Sequence, residues 1–168
     1  LNDFKTPLEG VKALPAKAHI SVFDQWIIAK LAETEKQVHE ALESERFSDA
    51  ATALYQFIWN QFCDWYIEFT KPILNSSSPE EKHTTQLVMA QVLNRMVRLL
   101  HPFCPFLTEE IYSHLPIKNT ACIIDQYPTT KNDKEFLAFA SAQAELDIDV
   151  VKEVITAIRN IRGENRIS

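Results

Sequence analysis

Glycine is almost missing from this 168-residue sequence: Gly10 and Gly163 are the only two, where average usage gives about a dozen. Because only glycine takes positive φ cheaply, this scarcity excludes Gly-rich phosphate loops and most tight hairpins. A self-contained nucleotide-binding enzyme is therefore not expected. An excess of basic charge is also lacking, with 17 Lys and Arg against 23 Asp and Glu for a net charge of −6. A protein that coats DNA through its bulk charge is excluded, and any nucleic-acid role has to rest on local patches. Cysteine is sparse and odd in number. Cys63, Cys104 and Cys122 form neither a disulfide framework nor a CxxC zinc knuckle, as expected of a chain in a reducing cytoplasm. No apolar run is long enough to cross a bilayer, and Leu1 onward has no signal-peptide pattern. No membrane partner is expected.

What is present is helical periodicity. Ser21 can cap a helix over about 21–44, on which Ile27, Leu31, Val38 and Leu42 form one apolar stripe. A second helix, about 48–71, carries Leu54, Phe57, Ile58, Phe62, Trp65, Tyr66 and Phe69 over more than half its circumference. It is expected in the middle of a bundle, with Lys71-Pro72 ending it because the residue before proline resists the α region. Trp65 reads as a packing residue. After the polar loop Asn75–Ser78, Ser78 and Pro79 open a third helix, about 80–100, with Leu87, Ala90, Leu93, Val97 and Leu100 inward. His101-Pro102 stops it. A short helix at 107–115, a brief extended segment near 121–127, a helical stretch near 133–140 and a last helix over about 146–162 complete the pattern. The fold expected is all-α, an antiparallel helical bundle. Residues 1–20 form an irregular lead-in, 21–145 the bundle, and 146–168 a C-terminal helix leading to a further region.

No constellation of residues points to catalysis or to a metal. Glu110 and His114 lie four apart and His101 is near in sequence, but a zinc site needs three or four ligands. An i, i+4 surface pair accounts for them. Cys63 stands among Phe62, Trp65 and Tyr66, where a thiol behaves as a small core residue. Glu109 and Glu110 open a helix, a position that favours acids without any acid–base role.

Two strings are more specific than this. Asn60-Gln61-Phe62-Cys63-Asp64-Trp65-Tyr66-Ile67-Glu68, followed by Lys71-Pro72, and Leu100-His101-Pro102-Phe103-Cys104-Pro105-Phe106-Leu107-Thr108-Glu109-Glu110-Ile111-Tyr112 resemble the FCDWYxE…KP and LHPFMPFxTEExW motifs of the valyl-tRNA synthetase family. Both belong to that family's anticodon-binding helical domain. Asp24-Gln25-Trp26-Ile27, Arg46-Phe47 with Ala50-Ala51 and Leu54-Tyr55, Tyr127-Pro128 and Ile158-Arg159-Asn160-Ile161-Arg162 extend the resemblance over about 9–165. Gln25, Cys104, Tyr112 and Gly163 depart from the family pattern, and Gln25 removes a basic group that could have faced RNA.

The resemblance implies a fragment that binds valine tRNA and works beside its own catalytic domain, with no DNA partner. The HIGH and KMSKS signatures of the ATP-using domain do not occur in these residues, so no catalytic residue and no cofactor is expected here. ATP would be used by the catalytic domain. The alternative is a helical protein-interaction bundle without tRNA binding. By the same resemblance, tRNA contact is expected where the lead-in, the start of the first helix and the end of the second converge. Lys12, Lys17 and Lys71 supply charge there, with Lys30 further inward. Trp26 is the nearest aromatic that could stack on a base, although Ile27 shares its apolar surroundings and core packing competes. The turn at 101–110 is expected at the opposite end, anchored into the core by Phe103 and Phe106 and facing the rest of the protein.

Overall fold

The computed structural model describes residues 20–76, 78–116, 120–131 and 134–165. Among them the chain forms α1 (Val22–Glu43), α2 (Phe47–Gln56), a π-helical segment (Phe57–Tyr66), α3 (Ile67–Ser76), α4 (Pro79–Leu100), α5 (Pro105–Ser113), a 3₁₀ turn (Cys122–Ile124), α6 (Lys134–Leu137) and α7 (Ala142–Glu164). No strand occurs among the described residues, and the fold is an all-α bundle. The lead-in through residue 19, with Lys12 and Lys17, lies outside the described residues.

Local chemistry accounts for the helix ends. Ser21 caps α1, its hydroxyl accepting the Asp24 N–H at 3.1 Å. Ser78 and Glu81 form a reciprocal capping box ahead of α4, with Pro79 in the first turn. The end of α1 is a Schellman motif: Arg46 N–H donates to Ala41 carbonyl at 2.8 Å and Glu45 N–H to Leu42 carbonyl at 3.0 Å. That motif puts Glu45 at φ 58°, a left-handed conformation that glycine adopts without penalty. Glu45→Gly is therefore expected to stabilise the chain by about 0.5–1 kcal/mol, read as a rise of a few degrees in Tm. A fall in Tm would mean that the Glu45 side chain supplies more than its backbone costs.

Four expectations are corrected. The second helix does not stop at Lys71-Pro72 but runs to Ser76 with Pro72 inside it. Both Pro72 and Glu68, whose carbonyl the ring deprives of a partner, are exposed, so water can satisfy what the ladder loses. Its centre is not α-helical. Phe57, Phe62 and Tyr66, spaced five and four apart, are the buried residues of the π segment, and i→i+5 turns bring such a spacing onto one side. Nor is the second helix the most buried one: α4 buries Leu87, Val88, Ala90, Val92, Met96, Val97 and Leu99 together with Gln91, Asn94 and Arg95. By contrast, Tyr55 and Trp59 on the second helix are more than half exposed. Finally, Cys122–Ile124 is a 3₁₀ turn, flanked by the extended residues Ala121 and Asp125.

One core joins α1, the second helix, α4 and the first turns of α7 through Trp26, Leu31, Phe57, Tyr66, Val88 and Ile148. The last helix thus begins at Ala142, earlier than expected, and its start belongs to the bundle. A smaller cluster of Val97, Tyr112, Leu115 and Cys122 holds α5 and the 3₁₀ turn to the end of α4. Asp24, fully buried, ties three helices together. Its carboxylate accepts hydrogen bonds from Tyr66 Oη at 2.7 Å, Thr85 Oγ1 at 2.9 Å and Ser21 Oγ at 2.7 Å.

Candidate nucleic-acid interface

Short connections make the helices alternate in direction, so the start of α1, the end of α3 and the start of α4 share one end. Phe23 stacks on Phe69 there at 4.8 Å. Helix α7 runs antiparallel to α1: Glu145 pairs with Lys30 at 2.8 Å, while Lys152 lies over the Trp26 ring at 5.3 Å. The later turns of α7 head past the start of α1 and are largely exposed, carrying Val154, Ile158 and Ile161 beside Arg159 and Arg162.

Where α7 crosses the π segment, an open groove of about 630 Å³ is lined by Trp65, Asp149, Lys152, Glu153, Thr156, Ala157 and Asn160. Trp65 is its aromatic wall. Arg159 and Lys152 sit over that ring at 5.3 and 5.4 Å, within cation–π range. Lys152 Nζ also donates to Gln61 Oε1 at 3.1 Å. Burial lowers the Lys152 pKa, with Lys30 adding repulsion and Asp149 opposing it. A half-buried indole flanked by two cations is the combination that unstacked nucleotides use, with the base on a ring and the phosphate on a positive charge.

The residues expected to face RNA fare differently. Trp26 is 0% exposed, so a base could stack on it only after the core opened; packing is its role in this structure. Lys30 is half-buried and held by Glu145 and, at 3.6 Å, by Glu33. Burial works against its charge, but Glu145 outweighs it and the pKa is raised. Lys71 is exposed at the end of the second helix and pairs with Glu68. Sequence order does not group Lys152, Arg159 and Trp65. Arg159 stands in the Ile158–Arg162 string, but nothing in sequence spacing links it to a tryptophan on another helix.

The other end of the bundle tests the metal question. Glu110 and His114 form an exposed pair at 3.0 Å, and His101 is not with them. It lies instead near Glu109 and Cys122, their ligand atoms all within 4.8 Å of one another. Glu109 accepts the N–H groups of Cys122 and Ile123 at 2.9 and 3.2 Å, and His101 Nδ1 meets Thr108 Oγ1 at 2.8 Å. These bonds staple the 3₁₀ turn to α5 using protein groups alone. Burial, with Glu109 beside it, pushes the Cys122 thiol up to about 11, which makes it a poor nucleophile at neutral pH.

The fold is a helical bundle with one aromatic-walled groove that carries charges of both signs, and comparison gives the family. Residues 24–168 match the family described as the anticodon-binding domain of tRNA ligase, and the chain belongs to it. Valine–tRNA ligases are among its relatives. The sequence is 77% identical over all 168 residues to that of Bdellovibrio bacteriovorus, covering 19% of that protein. It is 42% identical over 152 residues to that of Geobacter sulfurreducens, covering 89% of this chain and 17% of the relative. With that of Lactiplantibacillus plantarum it shares 40% over 151 residues, 90% of this chain and 16% of the relative. The chain thus spans less than a fifth of the length of these relatives. No helix among the described residues is long and apolar enough to cross a membrane.

Proposed function

We propose that this chain is the part of a cytoplasmic valine–tRNA ligase that binds the anticodon end of valine tRNA. It holds the acceptor end in reach of chemistry performed elsewhere in the polypeptide, where valine and ATP give the adenylate that is transferred to tRNA. The observation that carries this reading is the match over residues 24–168 to the anticodon-binding family, with valine–tRNA ligases as the relatives. The groove of Trp65, Lys152 and Arg159 supports it, because it stands at the end where α1 begins and Lys71 lies. No step of the aminoacylation is assigned to a residue of this chain.

The test is the binding of valine tRNA by the full-length protein across a salt series, with Lys12→Ala, Lys17→Ala and Arg159→Ala made singly. Removing one phosphate-binding cation is expected to reduce the slope of log affinity against log salt by about 0.7–0.9. Unchanged affinity and slope in all three would exclude this end as the electrostatic interface. Absence of any tRNA affinity at low salt in the unmodified protein would favour a protein-interaction bundle instead.

A further inference from the structure

The end of α4, the first turns of α5 and the 3₁₀ turn meet where His101, Glu109 and Cys122 bring their ligand atoms within 4.8 Å of one another. The turn between His101 and Glu109 is anchored by Phe103 alone, which packs against the core, whereas Phe106 is 92% exposed. Cys122 is buried, and His101 and Glu109 are half-buried, so the cluster is reachable from solvent. Among the described residues no other set of three His, Cys, Asp or Glu side chains converges this closely.

Each member is already held as a ligand would be. Thr108 Oγ1 donates its one proton to the Cys104 carbonyl at 2.8 Å, so toward His101 Nδ1, also at 2.8 Å, it can only accept. Nδ1 therefore carries the ring proton, and Nε2 keeps the lone pair that a metal takes. A ring nitrogen donating to a fixed acceptor is how metal-binding histidines are generally oriented. Glu109 accepts one backbone N–H on each carboxylate oxygen, from Cys122 at 2.9 Å and Ile123 at 3.2 Å. Those bonds fix the group and leave each oxygen a further lone pair. This staple uses only the backbone of Cys122, and nothing in it requires sulfur at that position.

The donor set and the charge select the ion. Imidazole nitrogen, thiolate sulfur and carboxylate oxygen together suit zinc, while magnesium and calcium take oxygen ligands and copper(I) prefers sulfur. With the thiol proton released to solvent, a thiolate and a carboxylate balance a divalent cation. The other charged groups beside Cys122 are Arg98 and Asp125, which face each other at 3.8 Å and leave that balance unchanged. Around a tetrahedral zinc ion such donors stand about 3.3–3.8 Å apart. The widest pair thus has to close by about 1–1.5 Å, which side-chain rotation supplies.

We propose that His101, Glu109 and Cys122 form a zinc site, with water in the fourth position, that clips α5 and the 3₁₀ turn to the end of α4. The site goes beyond tRNA binding and does not depend on it. Zinc held by the folded chain and not by the unfolded one stabilises this end of the bundle, adding to the hydrogen-bonded staple.

The test loads the full-length protein, first freed of metal by a chelator, with Co²⁺, because a thiolate on cobalt absorbs in the near ultraviolet whereas zinc is silent. Cys122→Ser keeps the size of the side chain and removes the sulfur. Cys104→Ser removes an exposed thiol outside the cluster and is the control. The unmodified protein and Cys104→Ser are expected to bind one more equivalent of Co²⁺ than Cys122→Ser, with a thiolate-to-cobalt band in the difference spectrum. Equal uptake by all three proteins, or a loss shared by Cys104→Ser, would overturn the proposal. Thr108→Val gives a second reading that does not need Cys122→Ser to fold. It keeps all three ligands, removes the hydroxyl that orients His101, and is expected to weaken one equivalent of Zn²⁺ by about 10–100-fold in competition with a chelating dye. An unchanged zinc titration of Thr108→Val would equally count against the site.

Discussion

Replacing Trp26 by alanine is expected to lower the unfolding free energy by about 3–5 kcal/mol, the usual cost of truncating a fully buried aromatic. In a chain of this size that corresponds to a fall in Tm on the order of 10 °C or more. Trp26 has no exposed surface. Its ring meets the edge of Phe69 at 6.2 Å and carries Lys152 above it at 5.3 Å, so the truncation opens a cavity where α1, the second helix and α7 meet. Trp26→Phe is the informative companion. The Trp26 indole N–H is buried without a hydrogen-bond partner among the described residues, and phenylalanine keeps most of the packing while removing that donor. It should cost far less than alanine. Thermal melts of the two variants decide the matter: a small loss for Trp26→Ala together with weakened tRNA binding would return Trp26 to the RNA-facing set.

The second large effect is expected at Asp24. Asp24→Ala leaves the Tyr66 and Thr85 hydroxyls without their acceptor in the core and should destabilise the chain by roughly 2–4 kcal/mol. A double-mutant cycle with Tyr66→Phe should show the two losses to be non-additive, since they remove the same bond. Additive losses would mean that the bond contributes little. The pH dependence has a definite sign. Burial raises the Asp24 pKa above its ordinary value of 3.8, against the lowering by hydrogen bonds from Tyr66, Ser21 and Thr85. Between 3.8 and the raised value the folded chain holds more proton than the unfolded one, so the Asp24 contribution falls as pH rises through that window. The original chain should therefore gain on Asp24→Asn as pH is lowered from neutrality toward the carboxylate range. Denaturant titrations of both at several pH values measure this, and a difference that shrinks on acidification would show the hydrogen bonds to outweigh burial. Burial and the negative charge of Asp24 also raise the Tyr66 pKa well above its usual value, so Tyr66 remains the donor throughout.

Much is legible in residue order because it depends on neighbours in sequence. The caps at Ser21 and Ser78, the Pro79 start and the stop after Leu100 are set by backbone groups within four residues. The amphipathic stripes and the scarcity of glycine likewise restrict the chain to helices, and the two motif strings carry the family. Tertiary structure decided what depends on partners far along the chain. Whether Lys71-Pro72 ended a helix turned on solvent reaching the carbonyl that proline leaves open, which follows from the face lying outward. Which helix is most buried could not be read from apolar count, since Tyr55 and Trp59 are exposed while Asn94 and Arg95 are buried; burial follows from which neighbours surround a helix. Trp65 joined Lys152 and Arg159 only because α7 folds back across the π segment. Phe106 and Phe103 look alike in sequence, three residues apart in an apolar turn. Only the tertiary packing turned Phe103 onto the core and left Phe106 in solvent, because a three-residue step across a helix start does not keep both on one face.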